Sequence, residues 1–471
     1  MRNNHGYDNQ NQDSSQSLVV QRYIKLLKEK RSGFFDVEEF GSIIDYYVNL
    51  FDLKEASMAI ETGLLQHPES FEISLRKAHL ALLSGKAEEC LRILSGFELL
   101  NPNNEELLLL KAEAFSHQGS LDKAISLTEY LLSQETLFDR AVLYVQLANL
   151  HQQKGNYLDA IDAWKNAIEL DEHLEMAHLS LRQAFITAEI TEEGARYFKS
   201  LTDRRPFSAP AWVELAECYS HLEKSNEAIL AFDYALAIED EHVIALAGKG
   251  SAYFQNEDYI KALSVFKQLD SMLQEDPIVL CSIAECYEQL EDYSCANSYF
   301  LMALAIDPEH CESRLGHAIV SEHLGDSEKA LRQMETVVGL SPDNSEYWFI
   351  YAELLSRNGQ ADKGQLCFER AIQLSEEQLD YFLGQIDALI RNDELAKALD
   401  KVQLIFEKFG DLESIYPRGI KVLFELGQKE EGLVLLEMLC DRHGGKDSLQ
   451  EYYPDIFEDS DALQLLKLQQ E

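Results

Sequence analysis

The chain is 471 residues long and carries 41 Lys and Arg against 83 Asp and Glu, which gives a formal net charge of −42. A surface this negative repels phosphate backbones and anionic lipid headgroups, so we expect neither nucleic acid nor a membrane surface as a partner. Hydrophobic residues make up 46% of the chain, too many for global disorder, and only 9 prolines leave long stretches free to be helical.

Two segments precede the repetitive part of the chain. Residues 1–17 are polar and lack the apolar region of a secretory signal, and we expect them to be disordered. In residues 18–36 a short helix is predicted over 18–31, with these apolar residues on or near one face: Leu18, Tyr23, Leu26 and Leu27. We expect this helix to cap the array that follows. The sequence has no apolar run of about 18 residues, so a cytoplasmic protein without a membrane span is expected.

A repeat with a period of 34 residues covers residues 37–446. Small residues recur 34 residues apart ten times and 36 residues apart once, at Ala56, Cys90, Ala124, Ala160, Gly194, Ala228, Ala262, Ala296, Ala330, Gly364, Ala398 and Gly432. They define twelve units, which begin at Val37, Phe71, Glu105, Ala141, Glu175, Ala209, Val243, Pro277, Cys311, Ser345, Leu379 and Glu413. Positions are counted from the first residue of each unit. A fixed period of this length indicates a solenoid of stacked repeats.

Each unit reads as two amphipathic helices joined by a turn. In the unit that begins at Ala209, the first half has apolar residues at helical spacing: Trp212, Leu215, Ala216 and Tyr219. The second half continues the pattern with Ala228, Phe232 and Ala235. Small side chains let the two helix axes approach closely, and large side chains fill the space beside them.

The order of these columns resembles the tetratricopeptide repeat. One unit matches the family's eight signature positions in kind, with Leu280, Ile283, Ala284, Tyr287, Ala296, Phe300, Ala303 and Pro308. The units that begin at 71, 175 and 413 depart most, for example at Ser74 and Arg182. The resemblance covers residues 37–446 and implies an all-α fold, a right-handed α-solenoid superhelix of stacked antiparallel helix pairs.

Residues 447–471 form an acidic tail after the last unit. Asp459, Ser460 and Asp461 are typical of a helix N-terminus, and a short helix is predicted over 462–468. Terminal repeats expose one apolar face, so we expect this helix to cap the array as the first helix does at the other end.

The resemblance also implies where a ligand binds, namely along a concave groove lined by the first helix of each unit at positions 2, 5, 9, 12 and 13. Position 5 is mostly apolar, and position 9 is acidic in six of the twelve units. We therefore predict an apolar stripe flanked by carboxylates, which binds a basic or amphipathic segment of a protein partner. The predicted partner-binding residues are Glu113, Glu217, Phe254, Glu285, Glu288, Glu322, Phe349, Glu353 and Asp387.

A plainer interpretation of the acidic positions stays open. Glutamate favours helices and solubility, so an acidic face can simply be a solvated one. Cationic residues at position 13 also weaken the negative potential: His117, His221, His323, Arg357 and Arg391. These lie near helix C-termini, where a cation complements the helix dipole.

Other chemistries find no pattern to rest on. Family members that bind the carboxylate tail of chaperones carry Lys at position 5 and Asn at position 9; here position 5 is never Lys and Asn149 is the single match at position 9, so no such clamp is expected. Gly248, Lys249 and Gly250 lie inside a predicted helix, which argues against a phosphate loop. Cys281 and Cys286 are about 140° apart around one helix and cannot share a ligand face. We expect no cofactor, no metal and no enzyme.

Three functional hypotheses follow. The leading one is a non-enzymatic scaffold or adaptor that is monomeric when unbound. The second is structural self-assembly through head-to-tail contacts, because residues 1–36 carry 6 basic against 4 acidic residues and the tail is acidic, although a net charge of −42 opposes it. The third is a peptide sensor that acts through a second protein.

Overall fold

The computed structural model describes residues 18–29, 31–134, 139–444 and 446–468, and the predicted disordered head at 1–17 lies outside them. Every regular element in these ranges is a helix, without strand or bridge. The predicted all-α solenoid of helix pairs is confirmed. The internal contacts divide the chain into an N-terminal body, which ends at Ala245, and a C-terminal body, which begins at Leu246.

The N-terminal body stacks its helices in chain order. Its helices are α1 (18–28), α2 (Val37–Asn49), α3 (Leu53–Gln66), α4 (Phe71–Leu83), α5 (Ala87–Ser95), α6 (Glu105–His117), α7 (Leu121–Ser133), α8 (Arg140–Lys154), α9 (Tyr157–Leu170), α10 (Glu175–Thr187), α11 (Thr191–Arg204), α12 (Ala209–His221) and α13 (Ser225–Ile238). From α2 onward each helix contacts the next one. Even-numbered helices are the first of each pair, and odd-numbered helices are the second.

The C-terminal body continues the same order. Its helices are α14 (Val243–Gln255, which starts before the boundary), α15 (Tyr259–Leu273), α16 (Pro277–Gln289), α17 (Tyr293–Ile306), α18 (Cys311–His323), α19 (Ser327–Leu340), α20 (Ser345–Arg357), α21 (Ala361–Leu374), α22 (Leu379–Arg391), α23 (Leu395–Phe409), α24 (Tyr416–Glu425), α25 (Lys429–His443), α26 (Lys446–Tyr452) and α27 (Ser460–Leu468). Short 3₁₀ turns lie at Glu413–Ile415 and Pro454–Glu458. From α15 to α25 each helix contacts the next one.

Small residues on the first helices are sites of close packing. A Cβ atom placed on Gly316 of α18 would lie 2.1 Å from the Phe300 ring, and one placed on Gly250 of α14 would lie 2.6 Å from the Phe266 ring. Both rings are buried, so a larger side chain at either glycine would force the helices apart.

Each pair turns from its first to its second helix through a residue with positive φ at position 15. Six of these residues are glycine, with φ between 73° and 82°. The other six have φ between 55° and 60°: Phe51, Glu189, Glu223, Glu257, Glu291 and Asp393. The following residue then closes the helix, as when the Lys224 N–H donates to the Tyr219 carbonyl at 2.9 Å. This is the left-handed C-terminal cap that usually requires glycine.

The units that depart from the family pattern compensate locally. The Ser74 hydroxyl donates to the Ser70 carbonyl at 2.8 Å. Arg182, which stands where a small residue is usual, reaches from α10 to the Glu214 carboxylate of α12 at 2.5 Å, and both side chains are largely buried. In the last pair α24 begins three residues late, at Tyr416, because Pro417 has no N–H and fits only the first turn of a helix.

Flanking helices cover both ends of the array. Val20 and Tyr23 of α1 join a buried cluster with Phe35 and Phe40. At the other end, Leu449, Ile456, Ala462 and Leu466 join a cluster with apolar residues of α24 and α25. The Asp459 carboxylate accepts hydrogen bonds from the backbone of Asp461 and Ala462, as expected of an N-cap.

Candidate functional site

The candidate site consists of positions 2, 5, 9, 12 and 13 on the first helices of the pairs, here named the first-helix stripe. Neighbouring first helices contact each other, as α10 does α12 in the N-terminal body and α16 does α18 in the C-terminal body. All nine predicted partner-binding residues lie on such helices and are half-buried. Glu113 and Glu217 belong to the N-terminal body, and the other seven belong to the C-terminal body.

In the N-terminal body, Glu113 is half-buried on α6. Burial raises the pKa of its carboxyl group, and the nearby His79 and His117 act in the opposite direction. Glu217, on α12, is half-buried next to the buried Glu214. Among the described residues neither Glu113 nor Glu217 forms an ion pair, so both carboxylates are open to a ligand.

The most strongly perturbed carboxylates of the stripe lie together on α16 of the C-terminal body. Burial, with the negative charge of Glu285 adding to it, raises the pKa of Glu288 to about 7. Burial also raises the pKa of Glu285, whose Oε1 accepts a hydrogen bond from the Cys281 thiol at 3.6 Å. Glu312, at position 2 of α18, adds to the rise. None of the ion pairs in the described part of the chain includes Glu285 or Glu288, although the nearby His310 acts to lower the pKa of Glu285.

Glu322 and Glu353 flank a small pocket between α18 and α20. The pocket has a volume of about 130 Å³, and its apolar lining includes Ile319 and Ile350. Asn358 donates to one oxygen of Glu322 at 3.2 Å, while the other oxygen is buried without a partner among the described atoms. The Glu353 carboxylate accepts a hydrogen bond from Arg357 at 3.1 Å. The pocket is therefore apolar inside, and its rim carries both signs of charge, because Arg357 and His323 line it beside the two glutamates.

Asp387 is already bound by the chain itself. Arg418 of the next pair donates to both of its oxygens, at 2.8 Å from Nε and 2.7 Å from Nη2. Tyr452 of α26 adds a third hydrogen bond, at 2.5 Å. A similar fork joins Arg76 to Asp45 in the N-terminal body, with both bonds at 2.9 Å. These two acids tie neighbouring first helices together, which leaves them less available to a ligand than Glu285 and Glu288.

The two predicted aromatic residues pack within the chain. Phe254 contacts Tyr259 edge to face, with ring centroids 5.2 Å apart. Phe349 stacks on Tyr381 at 4.9 Å and touches Phe368 at 5.8 Å. Each ring keeps part of its surface exposed, so it can contribute apolar contact area beside its packing role.

The predicted partner-binding residues include none at position 2, although the structure places exposed apolar side chains at that position. Val142 and Met176 in the N-terminal body are 57% and 71% exposed, and Ile278 in the C-terminal body is 64% exposed. The sequence could have indicated these residues, because position 2 is acidic in the first three units and apolar in these later ones. These residues add an apolar edge to the first-helix stripe.

Among the described residues, no three His, Cys, Asp or Glu side chains gather in a way that could hold a metal ion. No helix in this part of the chain combines the length and the hydropathy needed to cross a lipid bilayer.

Two solved structures are similar to parts of this chain. A thermophilic TPR protein of Thermus thermophilus is 20% identical over 39% of this chain and 99% of its own, with a TM-score of 0.35. YrrB, a TPR protein with an unusual peptide-binding site, is 18% identical over 40% of this chain and 96% of its own, with a TM-score of 0.32. No curated protein matches the chain in sequence.

Family models give the more direct result. Models described as tetratricopeptide repeat match residues 141–174, 183–240 and 345–378. The first and last of these ranges coincide with the predicted units that begin at Ala141 and Ser345. Repeats of this family support protein–protein interaction and generally form non-enzymatic scaffolds. The chain therefore contains tetratricopeptide repeats in these three ranges.

Proposed function

We propose that this protein is a non-enzymatic scaffold that binds a basic or amphipathic segment of a partner protein along the first-helix stripe. One observation carries the proposal: the half-buried carboxylates of Glu285 and Glu288 form no ion pair among the described residues, and the pKa of Glu288 is raised to about 7. A lysine or arginine side chain of a partner would supply the missing charge.

This arrangement differs from acids that serve solubility. Such acids are exposed and keep an ordinary hydration shell, as Glu369 on α21 and Glu407 on α23 do. Desolvation of a carboxylate is costly unless an opposite charge compensates it. The acids of α16 bear that cost in the free protein, and a cationic partner would remove it.

The apolar part of the stripe favours an amphipathic rather than a purely basic partner. Ile319 and Ile350 line the pocket beside Glu322 and Glu353, and Ile278 is exposed on α16. A segment with apolar residues at helical or alternating spacing, interleaved with lysine or arginine, would fill the pocket and pair with the carboxylate of Glu322 at its rim. Charge attraction would also speed its capture.

The remaining features of the proposal come from the sequence. We propose that all twelve helix pairs are repeats, that α1 and the tail helices cap the array, and that the free protein is a monomer in the cytoplasm. Packing of α1 and of α26–α27 on the terminal pairs supports the capping role.

Selection of displayed peptides on the intact chain tests the proposal. We expect enriched peptides to combine lysine or arginine with apolar residues, and to bind the Glu285→Gln/Glu288→Gln variant at least ten times more weakly. The matched control is Glu369→Gln/Glu407→Gln, which also replaces two glutamates but lies on second helices, and it should bind like the wild type. Enrichment without basic residues, or equal binding by both variants, would contradict the acidic stripe as the site.

A further inference from the structure

The tail of the chain lies on the first-helix stripe of the last two pairs. The Tyr452 hydroxyl donates to Asp387 at position 9 of α22, and its ring lies 4.6 Å from the Arg418 guanidinium and 5.6 Å from the Lys421 ammonium. Lys421 is the position 9 residue of the last pair. The ring of Tyr452 thus covers position 9 of both pairs.

Tyr453 extends this cover. Its ring lies 5.7 Å from the Lys421 ammonium and meets Phe424 edge to face at 6.4 Å. Phe424 is at position 12 of the last pair. Positions 9 and 12, where a ligand is expected along the rest of the stripe, are here in contact with residues of the same chain.

Three kinds of contact hold α26 and Tyr452 on the last two pairs. Asp387 accepts the phenolic hydrogen bond, Arg418 and Lys421 face the aromatic ring, and Leu449 anchors α26 in the apolar cluster of the last pair. A helix of seven residues such as α26 is not stable in isolation, so these contacts hold it in place.

We propose that residues 446–453 are an intramolecular ligand that closes the C-terminal end of the first-helix stripe, and that a partner segment reaching Asp387 must displace Tyr452 and Tyr453. The inference rests on the proposed function, because it takes the stripe as the binding surface. It assigns the open part of the stripe to the pairs before Asp387. It also makes the tail a competitor that sets how much of the stripe a partner can occupy.

Two measurements on the full chain test this. The first is the rate at which an amine-reactive acetylating reagent modifies Lys421, followed by mass spectrometry. Removal of the two rings in Tyr452→Ala/Tyr453→Ala should raise that rate at least fivefold, while Lys267, which lies 5.0 Å from the Tyr287 ring, serves as an internal reference and should not change. The Tyr452→Phe/Tyr453→Phe variant keeps both rings but loses the hydrogen bond to Asp387, so its rate should lie between those of the wild type and the alanine variant.

The second measurement is the affinity of a synthetic amphipathic peptide of alternating leucine and lysine, about 20 residues long and so able to span several pairs. The alanine variant should bind it at least three times more tightly than the wild type and the phenylalanine variant. Equal affinity in the wild type and the alanine variant overturns the competition. If the peptide binds neither chain, the proposed function fails. The acetylation rate of Lys421 still tests whether the tail lies on the stripe, and equal rates in the wild type and the alanine variant overturn that placement.

Discussion

Individual residues show how the fold handles charge inside a stack of helices. Arg182 and Glu214 pair in a buried setting, so one departure from the family pattern is matched by another on the next first helix. Removing either partner alone would leave a buried charge without compensation. The acids of α16 are the opposite case, because they form no ion pair among the described residues, and we propose that they bind a ligand instead.

His317 predicts a specific pH dependence of stability. The side chain is fully buried, and neither ring nitrogen has a partner among the described atoms. Burial, helped by Lys329 and Arg314, lowers its pKa from 6.5 to about 4. As the pH falls below 6.5, the unfolded chain therefore binds a proton at His317 that the folded chain does not bind. The free energy of unfolding then falls by up to about 1.4 kcal/mol per pH unit between about pH 6.5 and 4.

Thermal unfolding of the His317→Leu variant checks this expectation. The variant has no proton to bind at this site, so its unfolding midpoint should improve relative to that of the wild type as the pH falls from 6.5 to about 4. Among the neighbouring charges, Asp326 acts to raise the pKa of His317, and its contribution is the smallest. A constant difference between the two proteins over this range would show that His317 is not buried in its neutral form.

At the scale of one element, the turn inside each pair stores strain at half of its occurrences. A left-handed conformation costs a residue with a side chain about 1 kcal/mol relative to glycine. Glu223 has a φ of 57° and an exposed side chain, whereas the equivalent residue Gly119 has a φ of 76°. The strain is tolerated because the N–H of the next residue still closes the first helix.

Exchange at these turns gives opposite results in the two cases. We expect Glu223→Gly to stabilise the protein by about 0.5–1 kcal/mol and Gly119→Ala to destabilise it by about 1 kcal/mol, measured by chemical denaturation. Glu223→Ala is the matched control, because it removes the side chain and keeps the strain. A Glu223→Gly variant no more stable than Glu223→Ala would mean that the turn carries no strain.

The sequence could predict the elements that follow from residues recurring within the 34-residue repeat. Helix pairs follow from the small columns, since close approach of two axes requires small side chains at a fixed spacing. The left-handed turn was not predicted, because at Glu223 and five equivalent positions no glycine marks it. The shortness of α5, which ends at Ser95 before Gly96, also departs from the period.

At the scale of the whole molecule, the candidate site could be predicted only in part. Its acidic positions follow from the repeat, and burial raises the pKa of both Glu285 and Glu288. The engagement of Asp387 was not predicted, because Tyr452 lies 65 residues away and outside the repeat. An arginine 31 residues after an acid, as in both forks, is a signal that sequence reading could have used.

The negative charge of the molecule favours partners of positive charge. With a formal net charge of −42, the chain repels acidic partners at long range and attracts basic ones. Within the stripe, the same sign of charge is concentrated where burial makes it costly. Binding of a cationic segment should therefore pull the pKa of Glu288 down and release a proton to the solvent.

The most direct test is calorimetric titration of a selected basic peptide at about pH 7 in buffers that differ in ionisation enthalpy. Because the pKa of Glu288 is about 7 in the free chain, binding should release about half a proton per complex, and Glu288→Gln should remove that release. Binding without proton release, or with the same release in the variant, would contradict the claim that the partner's cations pair with the buried acids of the stripe.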